Sequence, residues 1–226
     1  MSRIVVLRPE PGASETVERA KTRGLDAVRI PLFEIEAVEW QAPDASGFDA
    51  LLMTSANAVR FGGEQLASFR GLPVHAVGKA TAEAAREAGF DIATSGDGGV
   101  ERLLGSLEAD LKLLHLCGED RSATRGVRQE MTPVTVYRSK TIEPAPDVRE
   151  AAGSIVMLHS PRAAQRFAAL AKEQQLDRRR IAILAISNAA AKAAGAGWER
   201  VEMAEQPGDD ALLVLAERLC DKRRQG

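Results

Sequence analysis

The chain is written twice. Around Phe48 it reads FDALLMTSANAVRF, then LPVHAVGKATAEAAREAGFD, then GGVERLLGSL. Around Gly153 it reads GSIVMLHSPRAAQRF, then RRIAILAISNAAAKAAGAGWERV, then PGDDALLVLAERL. The offsets barely drift: Ser55 to Ser160 is 105 residues, and Val77 to Ile186 and Leu103 to Leu212 are both 109. A lone repeat at about half the chain length is too long a period for a solenoid and reads as two similar domains. Two similar domains predict a cleft between them, and function is expected there.

The repeat also constrains the order of parts. The opening Arg3–Arg8 (RIVVLR) matches Lys112–Cys117 (KLLHLC), with Leu7 to Leu116 again 109 residues, so the chain reads a-b-c-d-a-b-c-d. The first a leads into IPLFEIEAV and the second into PVTVYRSKTI. Both stretches alternate in polarity, carry β-branched and aromatic residues, and begin at or near a proline, as extended connectors do. They are expected to be linker strands, about 30–38 and 133–142, running in opposite directions. The expected fold class is α/β: two similar flavodoxin-like domains with parallel sheets, joined by a two-stranded antiparallel linker. One domain would be discontinuous (1–33 plus 140–226) and the other inserted (36–135), both of ordinary size.

Composition sets limits. With 45% of 226 residues hydrophobic, the chain can bury one or two real cores. It has no apolar run near 18 residues and no basic segment leading an apolar one, so neither a membrane span nor a signal peptide is expected. Cys117 and Cys220 have no recognisable spacing, which suits a reducing cytoplasm. A net charge of −2 gives no general attraction to nucleic acid. Arg178–Arg180 and Lys222–Arg224 read as solvated loop and tail charges.

Apolar runs at 4–7, 50–53, 74–77, 111–116, 155–158 and 181–186 look like buried parallel strands, each followed by a helical stretch. In such sheets ligands sit beyond the carboxyl ends of the strands. The strand-to-helix turns are Arg8-Pro9, Thr54 to Asn57, Gly78 to Thr81, Ser95 to Gly99, Gly118 to Arg121, Ser160 to Arg162, Ser187-Asn188 and Gly208 to Asp210. Hydroxyls, amides and glycines dominate them. Such residues are ordinary helix N-caps. Repeated in both halves, they also make a set of N–H donors suited to an anionic ligand.

Other signatures are missing. No Cys/His cluster has metal-ligand spacing, and no G-x-G-x-x-G follows Leu7. G-x-x-x-x-G-K-[ST] and G-x-S-x-G are absent too, so neither a metal nor an organic cofactor is expected. A P-loop or Rossmann transferase is disfavoured on that ground. His75 and His115 fall within apolar strand runs and read as structural; His159 ends a strand and could line the cleft.

Taken in order, TSANAVRF (Thr54–Phe61), AVGKATAEAAREAGF (Ala76–Phe90), LCGEDR (Leu116–Arg121), VTVYR (Val134–Arg138), HSPRAAQRF (His159–Phe167) and the final GDDxLL (Gly208–Leu213) resemble the uroporphyrinogen-III synthase family along essentially the whole chain. The resemblance implies two α/β domains with the active site in the cleft and a cofactor-free lyase reaction of tetrapyrrole and heme biosynthesis. Linear hydroxymethylbilane loses its hydroxyl as water and closes to uroporphyrinogen III with ring D inverted. Tyr137, at the family's VYR position, would assist the leaving hydroxyl. Arg8, Ser55, Ala56, Gly78, Thr81, Arg121, Ser160, Pro161, Ser187 and Asn188 would meet the substrate's eight carboxylates. The expected protein is a cytoplasmic monomer, with hydroxymethylbilane synthase as a transient partner and no nucleic acid or membrane involved. Two departures stand out: Ser187-Asn188-Ala189-Ala190 lacks the threonine many relatives carry, and Cys117 replaces a frequent arginine. The rival from another class is a non-enzymatic two-domain protein that binds or senses a small anion.

Overall fold

The computed structural model describes residues 2–96, 98–120 and 127–225. It divides into two compact units, residues 1–34 with 141–226, and residues 35–140. The N-terminal segment holds β1 (Ile4–Val6), α1 (Gly12–Thr22) and β2 (Ala27–Arg29). The middle segment runs β3 (Phe33–Ala37), β4 (Ala50–Met53), α2 (Ala56–Phe61), β5 (Val74–Val77), α3 (Lys79–Glu87), β6 (Ile92–Gly96), α4 (Val100–Gly105), β7 (Lys112–Gly118) and β8 (Glu130–Thr141). The C-terminal segment runs β9 (Ile155–Leu158), α5 (Pro161–Glu173), β10 (Ala182–Ala185), α6 (Asn188–Ala194), β11 (Arg200–Met203) and α7 (Asp209–Gln225).

In the discontinuous unit the strand order is β2-β1-β9-β10-β11, all parallel. In the contiguous unit it is β3-β8-β7-β4-β5-β6, parallel from β8 to β6. Matching β1 to β7 and β9 to β4 makes the two orders the same, so the repeat in the sequence is a repeat in topology. The strand β8 does more than connect. It is the sheet neighbour of β7, and it also pairs with β3. Val38 N–H donates to Val136 and Ile142 N–H to Leu32, so one strand advances as the other retreats and the pair is antiparallel.

Burial explains the apolar runs. Every residue of β4, β9 and β10 is buried, as in a strand covered on both faces. Side chains alternate between those faces. Val5, Leu7, Val156, Leu158 and Ile183 join the cluster under α5 and α6, with Phe167, Leu170 and Trp198. Ile4, Val6, Ile155, Met157 and Leu184 join the opposite cluster under α1 and α7, with Val17, Leu212 and Leu219. In the other unit Leu51, Met53, Leu114 and Leu116 face α2 and α3, whereas Ala50, Leu52 and Leu113 face α4. Each fully buried leucine or isoleucine contributes about 2 kcal/mol, so both sheets are held from both sides.

Besides the linker strands β3 and β8, three strands lie outside the apolar runs: β2, β6 and β11. All three are sheet edges, partly exposed along their length. A half-covered strand has no need of a continuous apolar run. Ser95 and Gly96, expected in a turn, belong to β6. Gly118, expected to begin a turn, is the last residue of β7. The arginine clusters are less solvated than expected: Arg178 lies over the Trp198 ring and donates to Ala168, and Arg223 pairs with Glu199 and donates to Gly153.

Candidate functional site

At the carboxyl end of the discontinuous unit's sheet, polar side chains from separate segments converge on one carboxylate. Asp209, the first residue of α7, has a side chain only 9% exposed. Thr16 Oγ1 donates to its Oδ1 at 2.9 Å, and His159 Nε2 does so at 2.6 Å. Arg19 bonds the other oxygen, and Arg8 Nη1 stands 3.5 Å away. A carboxylate only accepts, so His159 carries its proton on Nε2. Burial pushes the His159 pKa down more strongly than the Asp209 bond pulls it up, so the ring is neutral. Burial raises the Asp209 pKa, but the hydrogen bond from His159 and the charges of Arg19 and Arg8 outweigh it and hold the carboxyl below its usual range.

Arg8 thus reaches toward both Thr16 and Asp209. A Cβ on Gly12 would fall 2.6 Å from Arg8 Nε and 2.8 Å from Nη2, so only glycine leaves room for the guanidinium to lie along α1. The strands β1 and β9 diverge from the order of the chain here, with connections leaving to opposite sides. Such a switch point is where open α/β sheets bind ligands.

The matching place in the contiguous unit lies between β7 and β4. Tyr137, on β8, packs against the core cluster beside them and faces Gly118. Burial raises the phenol's pKa, hydrogen bonding with Ser55 lowers it in part, and neighbouring Cys117 raises it. The net shift is upward, so Tyr137 stays protonated at neutral pH and can donate. Ser55 is the N-cap of α2 and accepts from Asn57 N–H at 3.2 Å. Nearby, Thr54 Oγ1 bonds His115 Nε2 at 3.2 Å, and His75 Nδ1 bonds Thr94 Oγ1 at 2.8 Å, so these two histidines serve the sheet.

The remaining expected residues fall at strand ends, in mixed states. Ser160 caps α5 and accepts from Ala163 N–H at 3.1 Å, with Pro161 as the first helical residue. Ser187 caps α6 and accepts from Ala190 N–H at 3.3 Å, with Asn188 next. Their oxygens serve their own helices, which leaves the O–H hydrogens to donate. Gly78 begins α3 at φ 86°, a left-handed conformation that favours glycine. Ala56 and Thr81 are buried, and Arg121 lies outside the described residues. Among the described residues no group of three or more His, Cys, Asp or Glu side chains could hold a metal ion, and no helix is long and apolar enough to cross a membrane.

Comparison with known proteins decides the family. The family model for uroporphyrinogen-III synthase HemD matches residues 14–214. The chain belongs to the uroporphyrinogen-III synthase family. No curated protein matches it by sequence alone. The solved uroporphyrinogen-III synthetase of Helicobacter pylori is 19% identical with a TM-score of 0.63, covering 97% of this chain and 100% of that one. A selenomethionine-labelled mutant of the uroporphyrinogen III synthase of Thermus thermophilus is 19% identical with a TM-score of 0.53, covering 98% of this chain and 100% of that one. At such identity these likenesses speak for the α/β fold alone. The family is one of cyclising lyases in heme biosynthesis.

For a uroporphyrinogen-III synthase family member, the residues that sequence reasoning passed over are Asp209, Thr16, Arg19, Gly12 and Gly118. Asp209 stood in a strand-end turn, where an N-terminal helical aspartate looks like any other cap. The two glycines gave a weaker signal: each begins or ends an element, but only the packed side chain beside it shows why it is glycine.

Proposed function

We propose that this protein closes hydroxymethylbilane to uroporphyrinogen III with loss of water and inversion of ring D, and that Tyr137 donates the hydrogen bond that helps the hydroxyl leave. Family membership supplies the reaction. The placement of Tyr137 carries its role: the chain's one tyrosine stands near a strand-end switch point, half buried, protonated and beside the Ser55 hydroxyl.

The chemistry asks for little acid strength. An electron-rich pyrrole already expels hydroxide readily, so a neutral donor suffices, and most of the catalysis lies in folding the bilane so that ring D presents its other face. Eight carboxylates must be held while that happens. Each unit offers its own strand-end donors: Ser55, Ala56, Gly78 and Thr81 in the contiguous one; Arg8, Ser160, Pro161, Ser187 and Asn188 in the discontinuous one. Arg121 belongs with them in this reading. Arg8 is the strongest single candidate for a carboxylate, because Asp209 and Gly12 fix where its guanidinium points. The discontinuous unit has the 2-1-3-4-5 strand order of flavodoxin-like folds and the contiguous unit a circular permutation of it, and we read each as a domain of that kind. In this reading the protein works as a cytoplasmic monomer without a cofactor and takes its substrate from hydroxymethylbilane synthase.

The test is to supply fresh hydroxymethylbilane to wild type, Tyr137→Phe and buffer alone, then resolve the uroporphyrin isomers after oxidation. Wild type should give mainly isomer III. Tyr137→Phe should give isomer III with kcat lowered by about 10²-fold and KM little changed. Isomer I alone from folded wild-type protein would overturn the reading and leave the anion-binding alternative. Unchanged kcat in Tyr137→Phe would remove the tyrosine from the mechanism.

A further inference from the structure

The strand β8 breaks its own alternation one residue before Tyr137. It pairs with β7 in regular register from Lys112 with Glu130 to Cys117 with Thr135, but the next pair is Gly118 with Tyr137, so Val136 is skipped. In a regular strand Val136 and Tyr137 would face opposite sides of the sheet. Here both pack against the same cluster: Val136 fully buried within it, Tyr137 partly buried against it. A bulge of this kind turns a side chain to a new direction. What receives the turned ring is a missing side chain. A Cβ at residue 118 would lie 2.7 Å from both Cε2 and Cζ of Tyr137 and 3.0 Å from its hydroxyl oxygen.

We infer that Gly118 is a positioning residue, the seat on which the Tyr137 ring rests, and that the bulge at Val136 and the empty space at Gly118 together aim the phenol hydroxyl. The inference rests on the role given to Tyr137 above. Space, not backbone freedom, is what requires glycine: Gly118 is absent from the positive-φ positions, which include Gly78 and Gly99. An alanine there keeps a permitted backbone, and its methyl meets the end of the ring that carries the hydroxyl. The clash cannot be relieved without moving the donor, because Cζ and the oxygen are the atoms touched. Glu119 N–H donates to the Tyr137 carbonyl at 3.0 Å, so the backbone on both sides of the contact is tied. The side chain has to give way.

The experiment uses the full chain with Gly118→Ala, Tyr137→Phe, the double variant, and Gly71→Ala as control. Gly71 is exposed, with open space where its Cβ would go. Displacing a positioned donor by about 1 Å can cost about 10²-fold, so Gly118→Ala should lower kcat by about 10- to 100-fold with KM changed less than about threefold. On the Tyr137→Phe background the same change should cost little more, because the group it displaces no longer donates. Phenolate absorbance during alkaline titration reports one group, since the chain has one tyrosine. Its midpoint should fall toward that of free tyrosine in Gly118→Ala and stay in place in Gly71→Ala.

Wild-type kcat, an unmoved titration, or an equal loss on the Tyr137→Phe background would each overturn the inference. If Gly118→Ala does not fold, Gly118→Ala/Tyr137→Ala decides: recovery of folding once the ring is gone supports the seat, and continued failure overturns it. Should Tyr137→Phe itself keep full activity, the mechanistic role of Tyr137 falls, while the titration still tests the seat.

Discussion

Asp209 accepts from Thr16, His159 and Arg19 and faces Arg8, so one carboxylate ties segments from the two ends of the chain together. Removing its charge takes an acceptor from two arginines and a buried histidine. Asp209→Asn should destabilise the protein by about 2 to 3 kcal/mol, the usual worth of charge-assisted hydrogen bonds, seen as a lower urea midpoint at neutral pH. His159 adds a pH dependence whose sign follows from its lowered pKa. Below about pH 6.5 the unfolded chain binds a proton at this ring that the folded chain refuses, so stability falls as pH falls. Asp209, whose pKa is also lowered, adds a second fall at still lower pH, as its carboxylate is protonated. Replacing His159 with asparagine should therefore flatten the loss of urea stability between about pH 7 and about pH 5. His75, also lowered by burial, will leave a residual slope. An unchanged slope in His159→Asn would mean the ring titrates alike in the folded and unfolded chain, and a steeper one that it is charged in the folded state. None of this was legible in the sequence: His159 follows an apolar run and Asp209 opens a helix, and nothing in either segment says that they meet.

Elements were legible where burial is complete. The interior strands β1, β4, β5, β9 and β10 sit within a residue of their apolar runs, because a strand covered on both faces must be apolar throughout. The edge strands β2, β6 and β11 were not, because exposure on one side lets polar residues in and erases the signal. The bulge in β8 was hidden for another reason: valine followed by tyrosine reads as ordinary alternation with an amphipathic tip, and only the paired strand shows the skipped residue. Helix starts were legible as caps, and Ser160 gives a clean test. It caps the 13-residue α5 with one hydrogen bond to Ala163 N–H. Ser160→Ala should cost about 1 kcal/mol in urea unfolding, and Ser160→Asp should keep most of it, since both hydroxyl and carboxylate cap well. If Ser160 also donates to substrate, the aspartate will restore stability and still raise KM for hydroxymethylbilane by repelling a carboxylate. Restored stability with an unchanged KM would confine Ser160 to its cap.

For the whole molecule, the a-b-c-d-a-b-c-d order assigned the N-terminal segment to the C-terminal half, because its RIVVLR matched an internal strand rather than the chain's own next one. In the structure β1 lies between β2 and β9, with three ladder pairs on each side. Its residues Ile4, Val5 and Val6 are fully buried in the two clusters of that unit. The discontinuous unit therefore cannot keep its sheet without residues 1–34, whereas the contiguous one draws every strand and both clusters from residues 33–141. A fragment of residues 33–142 retains the β3–β8 pairing and is about a hundred residues long, enough to close a core alone. It should fold with a cooperative urea transition by far-ultraviolet circular dichroism. The complementary deletion of residues 1–34 from the full chain should abolish one unfolding transition in calorimetry and leave one resembling that of the fragment. A fragment that stays unfolded would show that the contiguous unit depends on contacts outside its own sheet. Loss of both transitions on deleting residues 1–34 would show that the two units unfold as a single cooperative body.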